Sequence, residues 1–228
     1  MIEKNPRYSR QDGIVPQQAL ESQKIVIIGV GAVGREVGRT LACNGAKNVT
    51  IFDFDTVEEH NCTTQGYHDA DIGRAKVECT AEEMIRLNKN IQVTAVNDRW
   101  RPSKDKKFDA AFFCVDSLSM REKLFKWFSK STEFIADSRI GGEQIRLVSA
   151  SDDASRLHYP TTISADVDAY ADGCHIPMVK HSANIAASLL VQKYIMFLKG
   201  MDILYPDSLF NLMSYEITIL PTTPVPSP

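Results

Sequence analysis

Residues 24–34 read Lys24-Ile25-Val26-Ile27-Ile28-Gly29-Val30-Gly31-Ala32-Val33-Gly34. The opening β-branched run is the pattern of a strand buried on both faces of a parallel sheet. It passes directly into Gly-x-Gly-x-x-Gly. Gly29 permits a tight turn, Gly31 lets the backbone approach a phosphate, and Gly34 lets helix and strand pack closely. A helix is predicted over residues 32–43, closing at Asn44-Gly45. Its N-terminus offers unpaired N–H groups and partial positive charge to an anion. Residues 49–54 read as a second strand ending in Asp53-Phe54-Asp55. Asp53 lies about 20 residues past Gly34, the spacing of a carboxylate that binds ribose hydroxyls. The motif by itself fits NAD as well as ATP.

Outward from this unit the chain keeps alternating. A helix is predicted over 73–87, with Val77, Met84 and Leu87 on one face. Strands follow over 91–96 and 108–115, separated by a charged loop at 99–107. A helix over 118–129 and a strand over 133–137 complete the series. This order predicts an α/β, Rossmann-like, mostly parallel sheet with helices on both faces. The later part differs, adding C-terminal strands over 144–150 and within 210–220. Residues 151–173 are polar and acidic and read as a long loop. Residues 182–198 form a strongly apolar helix. Its stripe Ile185, Leu189, Met196 and Phe197 fits a core, or an interface. Residues 1–220 read as a single domain and 221–228, Pro-Thr-Thr-Pro-Val-Pro-Ser-Pro, as a disordered tail.

Composition narrows the function. The 228 residues can bury a full core without staples. A net charge of −3 with no long basic run argues against nucleic acid as the main partner. No apolar stretch reaches the roughly 18 to 20 residues of a membrane span. Residues 1–12 are polar and unlike a secretory signal, so the cytoplasm is the expected compartment. The five cysteines contain no Cys-x-x-Cys pair, which argues against a disulfide framework or a four-cysteine zinc site. Cys43, Cys79 and Cys114 fall within predicted elements and read as small core residues. Cys62 lies in the loop after the second strand. His60 and His68 flank the same loop without ligand-like partners.

The segment after Asp53 separates the two nucleotides. It reads Asp53-Phe54-Asp55-Thr56-Val57-Glu58-Glu59-His60-Asn61-Cys62-Thr63-Thr64-Gln65, then Ile72-Gly73-Arg74-Ala75-Lys76. With Arg7-Tyr8-Ser9-Arg10-Gln11 near the N-terminus, it resembles the ThiF/MoeB/HesA family, bacterial relatives of ubiquitin-activating enzymes. That family carries R-Y-x-R-Q, D-x-D-x-V, S-N-L-x-R-Q and V/I-G-x-x-K in this order. The resemblance runs from about residue 7 to 198. It implies an adenylyltransferase that uses ATP and Mg2+. Gly29, Gly31, Gly34, Asp53 and Asp55 would line the nucleotide, Asp53 on the ribose. Asn61 would contact the phosphate region and Lys76 would neutralise phosphate charge. Asp116, directly after the fourth strand, matches the magnesium-linked aspartate. Arg10 matches an arginine that reaches into the neighbouring subunit of a homodimer. Each role suits adenylation, in which two anions meet and charge builds on phosphate oxygens.

Two positions set this chain apart. Thr64 stands where the family has the arginine of N-x-x-R-Q, so part of the cationic clamp on the triphosphate is missing. Two readings follow: a site relying on Arg10, Lys76 and Arg74, or a weakened, even inactive, one. Cys174, in Ala171-Asp172-Gly173-Cys174-His175, matches a cysteine that takes the activated acyl group or carries sulfur in relatives. His175, Lys180 and His181 nearby would favour its thiolate. The expected function is adenylation of a carboxylate with release of pyrophosphate. The expected partner is the C-terminus of a ubiquitin-like or sulfur-carrier protein. A small-molecule or peptide carboxylate, a non-catalytic partner subunit and an NAD-dependent oxidoreductase are the alternatives.

Overall fold

In the computed structural model, residues 5–103, 105–163, 178–201, 203 and 205–222 are described. Eight strands form one sheet in the order β3-β2-β1-β4-β5-β6-β7-β8. The first five are parallel: β1 (Lys24–Ile28), β2 (Asn48–Asp53), β3 (Gln92–Asn97), β4 (Ala110–Phe113) and β5 (Phe134–Gly141). The last three run antiparallel: β6 (Gln144–Ala150), β7 (Asp207–Asn211) and β8 (Glu216–Ile219). Strand β1 sits between β2 and β4, which explains its unbroken apolar run: both of its faces are covered.

Alternate residues along each strand feed two cores. Ile25, Ile27, Ile51, Phe112 and Phe134 face α2 (Ala32–Asn44), α4 (Lys76–Leu87) and α7 (Lys180–Leu198). Val26, Ile28, Phe113 and Ile135 face α5 (Leu118–Phe128) and Tyr159. Small residues let helices approach on the first face: Gly38 of α2 meets Met84 of α4, and α7 buries Ala183, Ala186 and Ala187. Helix α2 ends at Gly45, whose φ of +98° closes the helix through bonds to the Leu41 and Ala42 carbonyls.

The alternating elements, the mostly parallel sheet and the helices on both faces match the sequence reading, and residues 207–219 supply two strands. Several expectations are corrected. Residues 151–163 are no loop. They hold α6 (Asp153–His158) and a 3-10 turn, Tyr159–Ile163. Asp152 caps α6 by accepting from the Ser155 N–H at 2.7 Å, and Tyr159 stacks on Phe125 with centroids 4.1 Å apart. The segment after β2 contains a short helix, α3 (Glu59–Thr64), and the N-terminus contains α1 (Gln17–Ser22). Of the apolar stripe read on α7, Leu189 and Phe197 pack against the core, but the fully buried face is a different one. Ala183, Ala186, Ala187, Leu190, Val191, Tyr194 and Ile195 are buried, whereas Ile185 is 38% exposed. Cys43 is exposed rather than packed; Cys79 is buried and Cys114 half-buried. Burial pushes the thiol pKa up to about 11 for Cys79 and about 12 for Cys114. Residues 223–228, most of the expected tail, lie outside the described residues. Among the described residues, no helix is long and apolar enough to cross a membrane.

Candidate active site

The strand order reverses between β1 and β4, and open α/β sheets bind ligands outside the carboxyl ends of the strands at such a point. The glycine loop leaves β1 there. Gly29 has φ +86°, and a Cβ on it would lie 2.4 Å from the Cys114 carbonyl oxygen just past β4. A Cβ on Gly34 would lie 1.9 Å from the Gly29 carbonyl oxygen. Only glycine permits this approach. Gly31 is different: an added Cβ would meet nothing nearer than the Gln65 carboxamide, at 3.7 Å. A Cβ would thus fit on Gly31, in ordinary contact with the Gln65 side chain that lies over this part of the loop. Gly31 also caps α2 without a side-chain hydrogen bond, leaving the helix N-terminus to an outside anion.

Asp53, at the end of β2, folds onto the loop. Its Oδ2 accepts from the Val30 N–H at 2.7 Å and its Oδ1 from the Asp55 N–H at 3.0 Å. Asp116 is exposed two residues after Cys114, on the other side of the loop. The structure thus brings Asp53, Gly29, Gly31, Gly34 and Asp116 to one end of three neighbouring strands. Beneath Asp116 lies a group that motif reading missed. Arg121 donates to the Val115 carbonyl and pairs with the fully buried Asp137, which also accepts from the Tyr159 hydroxyl at 2.8 Å. Burial lowers the Arg121 pKa to about 10. Its only signal in the sequence is its place one turn into α5.

Lys76 begins α4 and is buried, with Nζ 3.1 Å from Asp55 Oδ2, so these two expected site residues form a pair. Asn61 is buried in α3, and its Oδ1 accepts from the Glu58 N–H at 2.9 Å in a capping box. The Thr64 hydroxyl donates to the His60 carbonyl at 2.9 Å, one turn back in the same helix. Arg74 is engaged by Glu82 and by Asp71 at 3.3 Å. Tyr67 braces the glycine loop from below by donating to the Val30 carbonyl at 2.6 Å.

Arg10 lies elsewhere. Its 3-10 helix, Pro6–Gln11, is tied to the far end of α2, with Gln11 Nε2 donating to the Asn44 carbonyl at 2.9 Å. Cys174 lies outside the described residues. Among the described residues no group of three or more His, Cys, Asp or Glu could hold a metal. A magnesium ion carried on ATP phosphates needs only one or two protein carboxylates, so Asp116 alone fits that use.

The ThiF family matches residues 6–224. The chain belongs to the ThiF family. This ThiF-family chain is 34% identical over 131 residues to the molybdopterin-synthase adenylyltransferase of Escherichia coli, covering 52% of this chain and 51% of that one. It is 35% identical over 124 residues to the adenylyltransferase and sulfurtransferase UBA4 of Yarrowia lipolytica, covering 50% of this chain and 31% of that one. These matches span about half, or less, of the relatives' length. In structure it resembles E. coli MccB solved with ATP, with a TM-score of 0.83 at 19% identity over 99% of this chain and 73% of that one. That likeness shows a shared fold over nearly the whole chain.

Proposed function

We propose that this chain adenylates a carboxylate with ATP. The observation that carries the reading is the glycine loop at the reversal of strand order, where the uncapped N-terminus of α2, Asp53 and Asp116 come to one end of neighbouring strands. The triphosphate lies along the glycine loop and the ribose against Asp53. A carboxylate oxygen attacks the α-phosphorus, the bond to the β-phosphate oxygen breaks, and pyrophosphate leaves. The N–H groups of α2 meet the charge that builds on the phosphate oxygens. Lys76 adds positive charge to the same end of the sheet, fixed by Asp55. Asp116 is the residue that would hold Mg2+, which when bound neutralises phosphate charge.

The acyl partner is the C-terminus of a ubiquitin-like or sulfur-carrier protein; one relative is named a ubiquitin-like modifier-activating enzyme and another an adenylyltransferase and sulfurtransferase, which supports that reading. Cys174 is the thiol that displaces AMP from the acyl-adenylate to give a thioester. A homodimer completes each site with the partner's copy of Arg10. The test is calorimetric titration with Mg·ATP, and with NAD in parallel, of wild type and Asp116→Ala, followed by pyrophosphate exchange with candidate carboxylates. ATP binding without NAD binding, weakened in the variant, supports the reading; no ATP binding overturns it.

Two other readings have specific support. The fold matches MccB over nearly the whole chain, including MccB bound to N-formylated MccA. That favours trying a peptide carboxylate beside a carrier protein. Thr64, whose hydroxyl is turned to its own helix, favours a non-catalytic partner subunit, and exchange absent with every acceptor would select it.

A further inference from the structure

The turn that follows Thr64 is gripped by two cations from other helices. Lys180, the first residue of α7, donates from Nζ to the Gln65 carbonyl at 3.1 Å. Arg35, in the first turn of α2, donates from Nε to the Gly66 carbonyl at 3.2 Å and lies over the Tyr67 ring at 4.5 Å. The Gln65 side chain extends to the glycine loop, 3.7 Å from where a Gly31 Cβ would be, and its Oε1 is buried without a hydrogen-bond partner. These residues link the position of the missing family arginine to the phosphate loop.

We propose that Lys180 supplies to the ATP triphosphate the cationic contact that Thr64 does not, reaching across the Gln65–Gly66 turn. The inference rests on the adenylation reading above. Lys76 keeps its own place beside Asp55, Arg74 is bound by both Glu82 and Asp71, and Arg10 sits at the opposite end of α2, so none of them contacts the Gln65–Gly66 turn. Arg35 is fully buried, so it can shape the turn but not leave it. Lys180 is half-buried on a flexible stem, its Nζ paired with Glu36 at 2.7 Å. The surroundings have positive charge to offer. Arg35, Arg39 and Lys180 share the two carboxylates of Glu36 and Glu83. Burial lowers the Lys180 pKa, the Glu36 bond opposes that shift, and Arg35 and Arg39 add to it. An incoming polyphosphate would relieve that stress on the ammonium.

The test is titration of the full chain with Mg·ATP and with AMP, with thermal melting of each variant. Lys180→Met is expected to weaken ATP about tenfold or more, the value of one charged hydrogen bond, and to leave AMP unchanged. Lys180→Arg should retain ATP. Thr64→Arg in the Lys180→Met background should restore it, because it returns the charge to the family position. Glu36→Gln, which releases the ammonium, should tighten ATP. Undiminished ATP binding by Lys180→Met overturns the inference. So does an equal loss of ATP and AMP with a lowered melting temperature, the result of a purely structural role. If wild type binds neither nucleotide, the adenylation reading fails and this inference with it. If wild type binds ATP and Lys180→Met binds it equally, only this inference fails.

Discussion

At Gly34 a single methyl group decides whether the phosphate loop keeps its shape, because the Gly29 carbonyl oxygen stands 1.9 Å from where that methyl would be. Gly34→Ala must push β1 and α2 apart. We expect a stability loss of about 1–3 kcal/mol, read by chemical denaturation, together with loss of ATP binding. Gly31→Ala gives the contrast. Its nearest neighbour would be Gln65 Oε1 at 3.7 Å, an ordinary contact, so the melting temperature should hold. The methyl fills the space a phosphate needs, so ATP binding should weaken. These glycines were legible in the sequence because each is fixed by its own strand, turn and helix. Gln65 and Lys180 were not legible as a contact. Their meeting joins positions 115 residues apart, and no local pattern records it.

The elements were read best where periodicity is long. Strand β1 and helices α2 and α5 were found close to their true bounds, since several turns or a continuous apolar run announce them. Helix α6 was missed because six residues hold too little periodicity, although Asp152 followed by Ser155 is a capping signal. On α7, hydrophobicity marked the helix but only part of its face, because the buried side mixes alanines with Leu190, Val191, Tyr194 and Ile195 while the exposed side also carries apolar residues such as Ile185. Strand β7 carries a polar device that no motif announced. Asp207 is fully buried and accepts from Arg146 at 3.1 and 2.9 Å and bonds His158 at 2.8 Å. Burial pushes its pKa up, but these partners outweigh burial and hold it below the usual value. A carboxyl depressed on folding contributes stability above its unfolded value near about 3.9, lost as pH falls through the lower folded value. Wild type should therefore lose stability in urea as pH drops below about 4. Asp207→Asn should lose about 3–5 kcal/mol at neutral pH, by stranding Arg146, and show a shallower decline in acid.

At the scale of the whole molecule, the position of Arg10 bears on assembly. Its 3-10 helix is fixed to the base of the domain by Gln11 on Asn44, Arg7 on Leu87 and Tyr8 beside Gly45. The glycine loop opens at the other end of α2, whose 13 residues span about 20 Å. An arginine anchored there cannot serve its own loop, so any part it plays in catalysis belongs to a second copy of the chain. Subunit mixing tests this. Arg10→Ala and Asp116→Ala should each be inactive alone in the proposed reaction. A heterodimer of the two holds one complete site, in the Arg10→Ala subunit, which keeps Asp116 and receives Arg10 from its partner. Random reassortment of a two-fold dimer makes half of the dimers mixed, so activity should return to about a quarter of wild type. No recovery, with mixed dimers confirmed by native mass spectrometry, would place the two residues in unconnected roles. A chain that stays monomeric while it adenylates would remove Arg10 from the site altogether.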